Sequence, residues 1–140
     1  MRFFVLVMAA ALLSGCATSP APSDKVRSDA SGRVSGYQKQ VPDDSSLIVT
    51  SDIGTLGGSC FATIFLNGMP VAKLDTGDKV VLQVPSGEWL LGAALDGAAR
   101  CAANPERIET SVVLKQGQQK KFRVLLPVAG GSLAVQQSSF

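Results

Sequence analysis

From Leu47 onward, turn signals cut the chain at intervals of about ten residues, and no window between them sustains a helical apolar stripe through three turns. A helix needs apolar residues recurring with a period near 3.6, whereas a half-buried strand needs alternation with a period of 2. The chain shows the second pattern, which predicts an all-β fold, a small antiparallel sandwich of about 7–8 short strands. The expected strands are Ser46–Ser51, Cys60–Leu66, Val71–Leu74, Lys79–Val84, Glu88–Leu95, Arg107–Leu114, Lys120–Leu126 and Ser132–Gln136.

The turns carry chemistry of their own. Asn67-Gly68 supplies the positive φ that a tight hairpin requires. Asp75-Thr76-Gly77 and Pro85-Ser86-Gly87 serve the next two corners, and Gln116-Gly117 opens a hairpin before Lys120. Alternation assigns faces: Val80, Leu82 and Val84 point one way and Lys79 and Gln83 the other. Val112, Val113 and Leu114 are apolar on both faces, which predicts a central strand. Lys120 and Lys121, beside Arg123, are expected to form a solvated edge.

Ahead of this region the texture is different. Arg2 precedes an apolar stretch from Phe3 to Leu13 that ends in small residues, the pattern of an export signal over residues 1–15. As a helix that stretch rises only about 16 Å, too short to span a hydrocarbon core of about 30 Å. Residues 16–45 are rich in Ser, Pro, Gly and Ala with alternating charges, and they predict a flexible linker reaching roughly 30 Å. Residues 46–140 are left as the one folding domain. Tyr37, the one bulky residue of the linker, is either a docking point for a partner or a ring packed on the domain edge.

Leu13-Ser14-Gly15-Cys16 resembles the lipobox of bacterial lipoproteins, where diacylglycerol alkylates the thiol before cleavage just ahead of it. The resemblance implies a mature protein that begins at a lipidated Cys16 and is held to a membrane by several acyl chains, each buried methylene adding about 0.8 kcal/mol. In the sorting pattern of enteric lipoproteins, Asp after the lipidated Cys retains the protein in the inner membrane. Here Ala17 follows, which implies the periplasmic face of the outer membrane. The run Ala62–Leu95, with Asn67-Gly68, Gly77, Val84-Pro85, Gly87 and Trp89 at its corners, resembles the PEGA-like envelope β-sandwiches of bacterial lipoproteins. The Pro-Glu-Gly-Ala sequence itself is not present. That resemblance implies a fold rather than a reaction.

With Cys16 assigned to lipid, Cys60 and Cys101 form an even pair in an oxidising compartment and are expected to be bridged. The alternative, a redox or metal pair, has neither Cys-x-x-Cys spacing nor a histidine to accompany it. Histidine is absent altogether, which lowers the prior for hydrolytic triads and for ordinary zinc sites. Ser59 lacks a nucleophile elbow, and Asp75 and Asp78 sit at a turn whose backbone hydrogen bonds explain them. Neither an enzyme nor a cofactor or metal is expected. The formal charge of +2 falls to +1 once Arg2 leaves with the signal, too little for a nucleic-acid groove. Phe140 resembles the terminal residue of outer-membrane barrels, but the strands are too short and the aromatics too few for one.

A binding or scaffolding module remains. Trp89 could stack on a sugar or peptide, or serve the core at the head of its strand. Two partners stand apart: a protein of an envelope complex, for which this chain would be an accessory subunit, and peptidoglycan or another glycan bound independently. The near-neutral charge and the scarcity of aromatics favour the first.

Overall fold

The computed structural model describes residues 33–52, 60–97, 101, 106–125 and 133–139. The expected signal segment, Cys16, Ser59, the Leu126 and Ser132 ends of two expected strands and Phe140 lie outside the described residues.

The chain is all-β. Eight strands run as β1 (Ser45–Ser51), β2 (Cys60–Leu66), β3 (Met69–Leu74), β4 (Lys79–Val84), β5 (Gly87–Gly97), β6 (Ile108–Leu114), β7 (Gln119–Leu125) and β8 (Ala134–Ser138). They form two four-stranded sheets, ordered β4-β1-β7-β8 and β3-β2-β5-β6. The alternation read from sequence places the core. Leu47 and Val49, then Leu82 and Val84, face inward from the first sheet; Ile64, Leu66, Leu91 and Leu114 face them from the second, all essentially inaccessible to water. Truncating one of these leucines to Ala should cost about 2–5 kcal/mol through lost transfer energy and the cavity left behind.

Asn67-Gly68 is the hairpin turn between β2 and β3, with φ of 48° and 80°. That double positive φ fits the right-handed twist of the flanking strands, and Asn tolerates it because its side chain bonds locally. Here Asn67 Oδ1 accepts the Leu90 N–H at 2.9 Å, locking the turn to β5.

Four expectations are corrected by the topology. The Asp75-Thr76-Gly77, Pro85-Ser86-Gly87 and Gln116-Gly117 turns carry positive φ at Gly77, Gly87 and Gly117, but each passes the chain from one sheet to the other rather than closing a hairpin. One strand pair, β1 with β7, is parallel in an otherwise antiparallel sandwich. β7 is therefore internal to its sheet, and Lys121 and Arg123 lie on its outer face rather than on an edge. Arg123 stays half-buried because fully buried Asp52, just beyond β1, receives its guanidinium through both carboxylate oxygens. That hydrogen bonding raises the Arg123 pKa above its ordinary value. Finally, β6 is an edge strand and not a central one, and Val113 on its outer side is 57% exposed. A run that is apolar on both faces marks a strand with two dry faces only when something covers the second face.

Within the expected linker, residues 33–38 lie against the sandwich. Val34 bridges Ala72 antiparallel, Ser35 N–H donates to Val71 O and Lys73 N–H to Arg33 O, so residues 33–35 pair with edge strand β3. Three residues on, Gln83 N–H donates to Tyr37 O at 2.7 Å and Gln38 Nε2 to Val81 O, which attaches the same segment to β4, the edge of the other sheet. Low side-chain hydrophobicity hid this strap, because backbone groups and polar side chains make its bonds.

Candidate functional site

Strand β2 reads Cys-Phe-Ala-Thr-Ile-Phe-Leu. Ala62, Ile64 and Leu66 take the inner face, so alternation sends Phe61, Thr63 and Phe65 to the outer face of the β3-β2-β5-β6 sheet. Two phenyl rings facing away from the core need cover, and cations supply it. The Arg33 guanidinium lies 5.8 Å and the Lys73 ammonium 5.4 Å from the Phe61 ring centroid, while the Arg107 guanidinium lies 4.9 Å from that of Phe65. These distances fall within cation–π range, and the long stems cover ring surface while their charged ends reach water.

Each cation is steered by a carboxylate. Lys73 pairs with Asp96 at 2.5 Å, Arg107 with Glu109 at 2.8 Å, and Arg33 with fully buried Asp78 at 2.7 Å. Asp78 Oδ2 also accepts the Asp75 N–H at 2.9 Å, so the turn chemistry expected of Asp75 and Asp78 also fixes where Arg33 sits. The Lys73 hydrogen bond, followed by that from the Gly97 backbone N–H, holds the Asp96 carboxyl below its usual pKa; partial desolvation opposes this, and Thr63 adds a further bond. Gly92 lies between Phe65 and Glu109 across the sheet. A Cβ there would meet Glu109 Cγ at 3.2 Å and Phe65 Cβ at 3.3 Å, so glycine keeps this part of the face level. The result is a surface of aromatic rings overlain by paired charges, a composition suited to contact with another macromolecule.

The residues singled out from sequence fall elsewhere. Cys60 opens β2 and is bridged to buried Cys101, with a Cα–Cα distance of 5.4 Å. Tyr37 and Trp89 are brought together in an edge-to-face pair with centroids 5.7 Å apart. Trp89 packs on one end of the core, and its indole N–H donates to Pro85 O at 2.9 Å. Tyr37 holds a φ of 58°, a conformation uncommon for a bulky residue, and is 38% exposed. Held by its carbonyl on β4 and its ring on Trp89, Tyr37 fastens the strap to the sandwich corner. Sequence reading missed the Phe61–Phe65 face, although the two phenylalanines at even spacing in Cys60–Leu66 were the available signal. The cations came from three separate segments and carried no local sign.

No protein-family model matches the chain, and a search of curated proteins found no match.

Proposed function

We propose that this chain is an exported lipoprotein, held by lipid on Cys16 to the periplasmic face of the outer membrane, whose sandwich is a binding and scaffolding module for a protein of the cell envelope. The observation that carries the reading is the Phe61–Phe65 face. Aromatic and arginine side chains in one patch are what protein contact surfaces concentrate, and the cations held over the rings could also engage a partner's carboxylates. The Cys60–Cys101 bridge supports an oxidising compartment and therefore export. A sandwich is also the architecture that the resemblance to PEGA-like envelope domains implies. The strap supports the mechanical part of the reading, because a chain leading from a lipid anchor at Cys16 would join the described domain at Arg33, on the margin of this face.

Cross-linking in intact cells followed by purification tests this. A defined partner should be captured with the wild-type chain, lost with Cys16→Ser and strongly depleted with Phe61→Ala. Normal processing and unchanged membrane retention of Cys16→Ser would overturn the anchor. Sedimentation of the protein with purified cell-wall sacculi, with no protein captured, would replace the protein partner by a glycan.

A further inference from the structure

A sandwich of two open sheets has four edges, and three of them here are occupied or blunted. The β3 edge pairs with the strap at Val34 and carries Pro70 opposite an irregularity in β2. The β4 edge is bonded by Tyr37 and Gln38. The β8 edge is only five residues long. The β6 edge differs in every respect: seven residues in unbroken register with β5, without proline, bulge or inward-facing charge, and with no backbone hydrogen bond on its free side to another described segment. Such edges are protected in proteins that must stay monomeric, because their unpaired N–H and C=O groups template another strand.

We propose that the β6 edge is a self-association surface, on which a second copy of this chain adds its own β6 antiparallel about a two-fold axis. Outward residues must meet outward residues, so the allowed registers are centred on a residue. Centring on Val112 sets Glu109 against Lys115 of the other copy, twice by symmetry, and Ser111 against Val113. Lys115 is exposed, and its ammonium makes no ion pair among the described residues; Glu109 has Arg107 alone. The same register packs the exposed Val113 beside the new strand, which accounts for a large apolar side chain left in water on an otherwise alternating strand. Centring on Ser111 instead would place Arg107 against Lys115, two cations.

The two copies then form one continuous eight-stranded sheet, with their Phe61–Phe65 faces on the same side and their straps at its far ends. One seven-residue edge buries less than the roughly 1,200 Å² of a standard interface, so the dimer should populate at micromolar rather than nanomolar concentration.

Sedimentation velocity on the purified full-length protein in detergent, over a concentration series, tests the proposal. The wild type should move from the mass of one chain to that of two as concentration rises. Val113→Lys, Glu109→Lys and Lys115→Glu should each weaken the dimer at least about tenfold, while the double reversal Glu109→Lys/Lys115→Glu restores it to within about threefold. Circular dichroism confirms that each variant is folded, since all three side chains point to solvent. A wild type that stays monomeric at high micromolar concentration overturns the proposal, and so does a dimer indifferent to the reversals. Neither result bears on the anchor or on the envelope partner, which are read by fractionation and cross-linking.

Discussion

Replacing Cys60 and Cys101 together by Ala should destabilise the domain more than any single surface change. The bridge closes 41 residues of chain. In the chain-entropy treatment a loop of that length contributes about 4 kcal/mol at 25 °C, by denying the unfolded chain its more open conformations. The native sheet makes the bridge nearly redundant, since Cys60 already lies opposite Gly97 at the end of the β2–β5 ladder and Cys101 follows only four residues later. The stabilisation therefore acts on the unfolded state, and the double variant should keep the native fold. Loss of about 4 kcal/mol in a domain of this size corresponds to a fall in Tm of roughly 15–30 °C. Thermal unfolding by circular dichroism, on the oxidised wild type and on the double variant, measures it. A fall of only a few degrees would refute the reasoning, because it would mean that the unfolded chain keeps β2 and the Cys101 segment together without the bridge.

Arg33→Ala removes an ion partner of the buried Asp78 carboxylate and loosens the strap at Arg33; a loss of about 1–3 kcal/mol in urea unfolding is expected, with faster amide exchange at Ser35 and Gln83. Asn67→Ala removes the acceptor for Leu90 N–H at a φ that Ala tolerates poorly, and should cost about 1–2 kcal/mol by the same measurement. Asp96 is held below its ordinary pKa in the fold chiefly by Lys73, so its contribution is present above the unfolded pKa and lost as pH falls through the folded one. Lys73→Met should move the Asp96 carboxyl titration, followed by NMR, up toward the ordinary value, with little effect on stability near neutral pH because the pair is well exposed.

Every strand of the sandwich could be read from alternation and turn residues, because both are local consequences of backbone geometry. The Lys79–Val84 pattern and the Asn67-Gly68 turn left little freedom. Sheet membership was not local in that sense. Gly77 and Gly117 need positive φ whether the chain turns back beside itself or crosses to the opposite sheet, so the residues at the turn do not distinguish the two. The parallel contact of β1 with β7 and the edge position of β6 follow from those crossings and were invisible for the same reason. The strap was missed for a different cause: the Arg33 and Tyr37 carbonyls and the Ser35 N–H bond the sheet edges beside polar side chains such as Gln38, and a backbone donor or acceptor has no residue type. The Phe61–Phe65 face was half legible, since its rings share one strand while Arg33, Lys73 and Arg107 are gathered from three.

The strap and the open edge bear on each other. Free edges favour indiscriminate pairing, and a domain tethered to a membrane, as proposed for this one, would meet its neighbours often. Occupying β3 and β4 with the chain's own residues 33–38 removes the two edges nearest the point where a Cys16 anchor would join the domain, and leaves β6 on the far side of its sheet. Association is thereby confined to one strand, in an orientation that keeps both Phe61–Phe65 faces on the same side. Had the strap been absent, pairing through β3 or β4 would compete and the two faces could be buried against or turned away from each other. The position of the strap therefore selects which surface two copies can share and keeps the aromatic face free for a different partner.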